Sequence, residues 1–322
     1  MERQHTAARN GQGVQNDLER RPFAVWARAR TFLSGTQPAA CPGGHRCRFA
    51  CPDPIIVTYL FSRPTHDLLE TFAWSNVLLA FDYDGTLAPL VNAPAHAYMR
   101  ASTRRLLRRV STLYPCVVIT GRAKSDALGR LRNIEVCRVV GNHGAEPSPD
   151  AKEMRRRVLQ WLPVLTARLS RRQGVFIEDK GLSVAVHYRQ ARKRNLTRRA
   201  VLSVAKSLKD VRLVGGKLVV NFLVPDAPHK GLALERERVH FACDTVIYVG
   251  DDDTDEDVFQ MDRPGELLSI RVGRKRTSAA PYYIRNQAEI DRLLETLVAV
   301  RGGHRDRRDE QAGSHVISAA AR

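Results

Sequence analysis

The chain has 322 residues, 43% of them hydrophobic and 27% charged, with a formal net charge of +18. That is enough apolar material to bury a core, in one large domain or two modest ones. No apolar run approaches the length of a membrane-spanning helix, and the first thirty residues lack the apolar stretch of a secretory signal, so a soluble cytoplasmic protein without a membrane partner is expected.

Residues 1–54 are rich in Arg, Gln, Gly, Ala and Pro and show neither helical nor strand periodicity, which reads as a disordered segment. The sequence leaves open whether these residues belong to the functional protein, whose start could lie near Val57. Cys41, Cys47 and Cys51 cluster around His45, but their spacing matches no common zinc pattern, and an unstructured segment is the better reading. From Val57 onward the pattern becomes regular. Four short runs are almost wholly apolar: residues 77–81 (VLLAF), 117–119 (VVI), 136–140 (VCRVV) and 246–249 (VIYV). Strands buried on both faces have this composition, as in parallel sheets covered by helices. Helical stretches separate them, such as Ser102–Leu113 with Leu106, Leu107 and Val110 on one face. Cys116, Cys137 and Cys243 stand singly among apolar residues and read as small buried hydrophobes. The alternation implies a doubly wound α/β parallel-sheet core made of residues 55–147 and 227–300.

Between 148 and 226 the pattern changes. Ala151–Arg172 reads as a helix kinked at Pro163. Val175–Glu178 and Leu182–Arg189 read as strands joined by a tight Asp-Lys-Gly turn. A second helix, Ala191–Leu208, follows, then strands Val211–Val214 and Lys217–Val224 with a hairpin turn at Gly215-Gly216. The order is α-β-β-α-β-β. Leu182, Val184, Val186 and Tyr188 alternate with Ser183, Ala185, His187 and Arg189, so one face is apolar and packs on helices while the polar face is free. An α+β cap domain of residues 148–226, inserted into the core, is expected. Residues 301–322 read as a disordered tail. Nothing in the chain speaks to oligomeric state.

In an open parallel sheet, ligands bind beyond the carboxyl ends of the strands. The four runs lead there to Asp82 and Asp84, to Thr120-Gly121-Arg122, to Gly141-Asn142-His143-Gly144, and to Gly250 followed by DDDTDED (251–257). Lys230 lies in the segment returning from the insertion. Two carboxylates near 4 Å repel by roughly 4 kcal/mol at an effective dielectric of 20. A divalent cation removes the conflict, and an all-oxygen site favours magnesium, which also holds phosphate. Asp82 could then attack phosphorus, and Asp84 could protonate the leaving oxygen and later activate water. Thr120 could donate to a phosphate oxygen, Lys230 could neutralise the nucleophile and phosphoryl group, and Asp251 and Asp252 would complete the metal site. Singly, each has a plainer reading: a turn for the Asp pair, a solvated loop for the acid run, an N-cap for Thr120, a surface lysine for Lys230. Their ordered placement after buried strands favours a site.

FDYDGTL, VVITGR, HKG and VGDDDTDED resemble the four motifs of the haloacid dehalogenase (HAD) superfamily of aspartate-dependent phosphatases. DYDGTLAPL, ITGR, GNHGAE (141–146), EDKGLSVAVHYR (178–189) and GDDDTDEDVF (250–259) are similar to the longer motifs of trehalose-6-phosphate phosphatases, over about residues 57–297. The resemblance implies a HAD-like core with an inserted α-β-β-α-β-β cap, Mg2+ as cofactor, and hydrolysis of trehalose 6-phosphate to trehalose and phosphate. It implies Asp82 as nucleophile, Asp84 as general acid/base, and Thr120 and Lys230 as phosphate binders. Asp251 and Asp252 would join Asp82 and the Asp84 carbonyl at the metal. Glu178, Lys180 and His187 would meet the sugar, and Gly121, Arg122 and His143 belong to the same substrate-binding motifs. One departure stands out. In GGKLVVNFLVPDAPHKG, Asn221 occupies the place where the family carries Glu, and Leu223 that of a basic residue. An amide brings donors as well as an acceptor, so the identity of the sugar phosphate is open at this position.

The net charge admits three readings: a nucleic-acid partner, arginines on solvated helix faces, or attraction of a dianionic phosphate substrate. A nucleic-acid-binding protein on an inactive phosphatase fold is therefore the alternative of another class. The intact set of acids argues against it, and for a small-molecule sugar phosphate as partner.

Overall fold

The computed structural model describes residues 57–91, 93–261 and 263–302. The segment expected to be disordered, its Cys41, Cys47 and Cys51 cluster, and all but Arg301 and Gly302 of the expected tail lie outside them. The first half of the larger layer comprises β1 (Thr58–Tyr59), α1 (His66–Trp74), β2 (Val77–Phe81), α2 (Ala101–Ser111), β3 (Cys116–Ile119), α3 (Lys124–Arg130) and β4 (Arg138–Val140). The chain then builds α4 (Ala151–Leu169), β5 (Phe176–Asp179), β6 (Val184–His187), α5 (Arg194–Ala205), β7 (Arg212–Gly216) and β8 (Val219–Leu223). It returns through α6 (Lys230–His240), β9 (Thr245–Gly250), α7 (Glu256–Phe259), β10 (Leu267–Val272) and β11 (Tyr282–Ile284) to a last helix, α8, over residues 290–302. No helix among the described residues is long and apolar enough to cross a membrane.

Seven strands form one sheet in the order β1-β11-β10-β9-β2-β3-β4, and every neighbouring pair is parallel. The composition of β2 explains why. All five of its residues are buried. Val77, Leu79 and Phe81 pack with Leu107 and Val110 of α2 and Leu293, Leu294 and Leu297 of α8. Leu78 and Ala80 turn to the other side, against Ala233 and Leu234 of α6 and Val258 and Phe259 of α7. A strand covered on both faces has no place for a polar residue until it ends, and β2 ends at Asp82. This is the doubly wound α/β core that the pattern implies, and it agrees with the HAD-like fold that the motif resemblance implies.

A second, antiparallel sheet has the order β5-β6-β8-β7. Val184, Val186 and Tyr188 pack against Met154, Val158, Trp161 and Leu165 of α4 and Val201 and Val204 of α5, as alternation predicts. The other face is not free, contrary to expectation. Ser183 and Ala185 are fully buried, and Ser183 Oγ donates to Asn142 Oδ1 at 2.6 Å.

Several local expectations need correction. The hairpin turn falls at Lys217-Leu218, with Leu218 at φ +66°, while Gly215 and Gly216 remain in β7. Gly216 answers a packing need instead: a Cβ there would lie 2.7 Å from Val219 and 3.0 Å from the Asp252 carboxylate. Helix α4 runs through Pro163 and stops at Leu169 rather than Arg172. Cys137 is exposed because it precedes β4, an edge strand. Arg301 is helical and donates to the carbonyls of Ala73, Leu113 and Ser75. Strands β1, β10 and β11 are additions to the pattern read from the sequence.

Candidate active site

The carboxyl ends of β2, β3, β4 and β9 carry the polar residues that the sequence singles out. Directly after β2, Asp82 is buried and its Oδ1 accepts from the Tyr83 N–H at 2.7 Å. The chain turns at once: Gly85 donates to Ala88 O at 2.7 Å and Ala88 to Tyr83 O at 2.8 Å. Gly85 sits at φ +85°, and a Cβ there would lie 2.1 Å from the Asp251 carboxylate. Glycine is thus required twice, by the backbone conformation and by the acid that must fit beside it.

From β9, Asp251 approaches Asp82. One carboxylate oxygen each from Asp82, Asp251 and Asp255 lie within 4.8 Å of one another, and all three residues are buried. Asp252, expected in the metal set, is not in that cluster. Asp255 takes its place there, yet both of its oxygens are already engaged. Its Oδ1 accepts from Lys230 Nζ at 2.8 Å and Tyr248 OH at 2.6 Å, and its Oδ2 from the Asp251 and Asp252 amides at 2.8 and 2.9 Å. Asp255 therefore orients its neighbours. Asp251 Oδ1, by contrast, is buried with no hydrogen-bond partner, and its Oδ2 accepts from Lys217 Nζ.

Crowded acids in a dry site cannot all stay ionised. Burial pushes the Asp82 carboxyl well above the usual range; Lys230 opposes this, and Asp255, Asp251 and Asp84 add to it. Burial likewise pushes Asp251 up to about 6, against the pull of Lys217. Lys230, 1% exposed, has Nζ 3.2 Å from Asp82 Oδ2. Burial would lower its ammonium pKa, but Asp255 and Asp82 outweigh burial and raise it above its ordinary value.

Asp84 turns away from this cluster. Arg122 grips it with two hydrogen bonds, Nε to Oδ2 at 2.7 Å and Nη2 to Oδ1 at 2.6 Å. Arg122 is itself fixed by Asp126 Oδ2 at 2.7 Å and Pro94 O at 2.8 Å. Thr120 is fully buried, and its Oγ1 accepts from the Arg122 amide at 3.2 Å. Gly121 lies flat against His143: a Cβ would meet the imidazole at 2.5 Å. His143 adopts φ +60°, neither ring nitrogen has a hydrogen-bond partner, and burial, with Lys180 and Lys230, holds its pKa well below the usual histidine value.

The second sheet supplies the remaining residues. Lys180 Nζ donates to Gly121 O at 2.9 Å and to Asn221 Oδ1 at 3.4 Å. Asn221, 2% exposed, donates from Nδ2 to Val214 O at 3.4 Å. His187 Nε2 and Glu178 Oε2 are 2.7 Å apart. Burial alone would raise Glu178, but that hydrogen bond and Lys180 hold it below its ordinary value. A cavity of about 750 Å³ is lined by Asp82, Asp84, Gly121, Arg122, His143, Glu178, Lys180, His187, Asn221, Lys230, Asp251 and Asp252 together. Of the residues expected at the site, Thr120 does not line it. Sequence reasoning missed Asp255, Asp126, Tyr248 and the reach of Lys217. Asp255 had a signal: it stands three residues after Asp252, and the two form a capping box.

A family model described as trehalose-phosphatase matches residues 80–287. The maize (Zea mays) trehalose 6-phosphate phosphatase RA3 is 29% identical over 265 residues, covering 73% of each chain. The probable trehalose-phosphate phosphatase D of Arabidopsis thaliana is 30% identical over 259 residues, covering 72% of this chain and 70% of its own. Among solved structures, the C-terminal domain of C. albicans trehalose-6-phosphate phosphatase superposes with a TM-score of 0.62 at 23% identity, covering 74% of this chain and 97% of that one.

Proposed function

The chain belongs to the trehalose-phosphatase family, a family of phosphoric monoester hydrolases, and from that premise we propose that it hydrolyses trehalose 6-phosphate to trehalose and phosphate. The observation that carries this reading is the convergence of Asp82, Asp251 and Lys230 in the cavity that also holds Glu178, Lys180 and His187. One end of that cavity suits a phosphoryl group, and the residues of the second sheet suit sugar hydroxyls.

Asp82 is the proposed nucleophile. One of its carboxylate oxygens attacks phosphorus, the P–O bond to the sugar breaks, and the sugar oxygen takes a proton from Asp84. Asp84, now ionised, takes a proton from water as that water attacks the phosphorus of the aspartyl-phosphate, which releases phosphate and regenerates Asp82. Arg122 engages both Asp84 oxygens in this structure, so that pairing has to open before Asp84 carries the proton for the first step. Lys230 neutralises charge on Asp82 and the phosphoryl oxygens. Thr120, expected to bind phosphate, lies outside the cavity lining; its hydroxyl accepts from the Arg122 amide and so braces the loop that carries Arg122. The second sheet acts as the cap, excluding water and selecting the sugar through Glu178, Lys180, His187 and Asn221.

The donor set fits a divalent cation. Three buried carboxylates approach within 4.8 Å, and Asp251 Oδ1 is without a partner. Only oxygen donors are present, which suits Mg2+. Asp82 and Asp251 would hold it, with the Asp84 carbonyl as a further ligand; Asp252, expected there, lies outside the cluster. Bound Mg2+ would neutralise the acids and polarise the phosphoryl oxygens.

Asn221 favours one second reading, the same chemistry on another sugar or glycosyl phosphate. Phosphate release from a panel of sugar phosphates in Mg2+ tests both. Highest kcat/KM on trehalose 6-phosphate is expected, and a clear preference for another member would overturn the substrate assignment.

A further inference from the structure

Between Asp179 and Asp210 the chain carries nine lysines and arginines and no aspartate or glutamate. Five of them, Arg192, Lys193, Arg194, Arg198 and Arg199, are exposed in the loop after β6 and the first two turns of α5. Arg171 and Arg172, exposed in the turn after α4, stand beside that loop. Gly174 packs on it so closely that a Cβ would lie 2.4 Å from Gln190 O and Ala191 N. Arginines at the other end of α4 are neutralised: Arg155 pairs with Asp179 at 2.7 Å, Arg156 with Glu153 at 2.6 Å and Arg157 with Asp210 at 2.5 Å. Arg192, Lys193, Arg198 and Arg199 have no carboxylate partner among the described residues.

A run of cations is commonly just a solvated face. This one is concave. Residues 189–196 line a hollow of about 790 Å³, which meets the catalytic cavity only at Arg189 and Gln190. Cations around a hollow repel one another and together attract an anion placed within it. Arginine favours phosphate, whose oxygens its planar fork engages in pairs. The hollow is larger than one phosphate needs and suits a chain of them. A membrane surface would call for apolar groups to insert, and Leu196 is the one exposed apolar residue in the lining. The walls are a loop and the start of a helix, with nothing projecting to enter a duplex groove. We propose that this surface binds single-stranded nucleic acid through its phosphate backbone, as a function separate from catalysis. No aromatic side chain lines the hollow to stack on bases, so the binding is independent of sequence and weakens steeply with salt.

The test is fluorescence anisotropy of a labelled 20-nucleotide oligo(dT) titrated with the full chain between 0.05 and 0.3 M salt. Wild type should bind with a micromolar Kd at the low end. The combined variant Arg192→Ser, Lys193→Ser, Arg198→Ser should weaken binding by at least tenfold at 0.1 M salt. It should also reduce the slope of log Kd against log salt by about 2, as expected for three lost phosphate contacts on a single strand. A control variant removes the same charge from exposed positions in the other layer, Arg105→Ser, Arg109→Ser, Arg276→Ser, and should bind within twofold of wild type. Both variants should keep wild-type turnover of the sugar phosphate and wild-type melting. Three results overturn the proposal: no binding by wild type at 0.05 M salt, an equal loss in the control variant, or binding of phosphatidylserine vesicles or poly-glutamate as tight as that of the oligonucleotide.

Discussion

Asp82, Asp84 and Lys230 were legible as residues because like charges at the end of an apolar run need a reason, and each lies in or beside the cavity. Asp255 was marked only by its spacing of three from Asp252, since within DDDTDED periodicity does not tell which acid turns inward. Its role makes a strong expectation. Lys230 is 1% exposed and pairs with both Asp255 and Asp82, so Asp255→Asn removes one of its two buried carboxylates and should cost about 1.5–3 kcal/mol in urea unfolding; a loss under about 1 kcal/mol would contradict the pairing. Gly85→Ala drives a methyl into Asp251 at a positive φ, and should abolish turnover and lower the melting temperature. Near-normal kinetics in that variant would mean that Asp251 lies elsewhere. The acids also set a pH dependence. Asp251 titrates at about 6 in the folded chain against an ordinary 3.8. Between those values the folded chain holds a proton that the unfolded chain has released, so this group's contribution is greatest below about pH 4 and is lost as pH rises to about 6. A cation favours the ionised form. Melting in chelator and in Mg2+ should therefore show a larger stabilisation by Mg2+ near pH 7.5 than near pH 5, and the reverse order would contradict the account.

At the scale of elements, strands buried on both faces could be read directly, as VLLAF in β2 illustrates. Strand β10 escaped because Ser269 and Arg271 interrupt its apolar run, although both are buried. Arg271 is tolerated there because it donates to Asp251 O, Asp252 O and Glu256 Oε1, and so braces the loop that carries Asp251. The hairpin of β7 and β8 was misplaced because glycines serve close packing as well as turns, and Gly216 leaves room for Asp252. Pro163 lies inside α4, which continues through it without the hydrogen bond that a proline lacks. Because Pro163 is exposed, Pro163→Ala should regain that bond and raise stability by about 1–3 kcal/mol, measured by thermal melting. A neutral or destabilising result would show that the proline is accommodated at no cost.

At the scale of the whole molecule, the sequence implied two sheets but not how closely the second lies against the first. The contacts that bring them together are single side chains far apart in sequence: Ser183 to Asn142, Lys180 to Gly121 O, and Lys217 to Asp251. Such pairs leave no periodic signal. The +18 charge could be read only as a sum. If it serves to draw in a dianionic substrate, kcat/KM should fall several-fold between about 0.05 and 0.5 M salt, with kcat less affected. A flat profile would return the arginines to a purely solvating role. The measurement that bears most directly on the whole account is the rate of phosphate release from trehalose 6-phosphate by wild type and Asp82→Asn, with Mg2+ and with chelator. Turnover by wild type in Mg2+ alone, and a loss of at least about a thousandfold in the folded variant, is the expected result. Activity in Asp82→Asn within about tenfold of wild type, or wild-type activity undiminished by chelator, would contradict it.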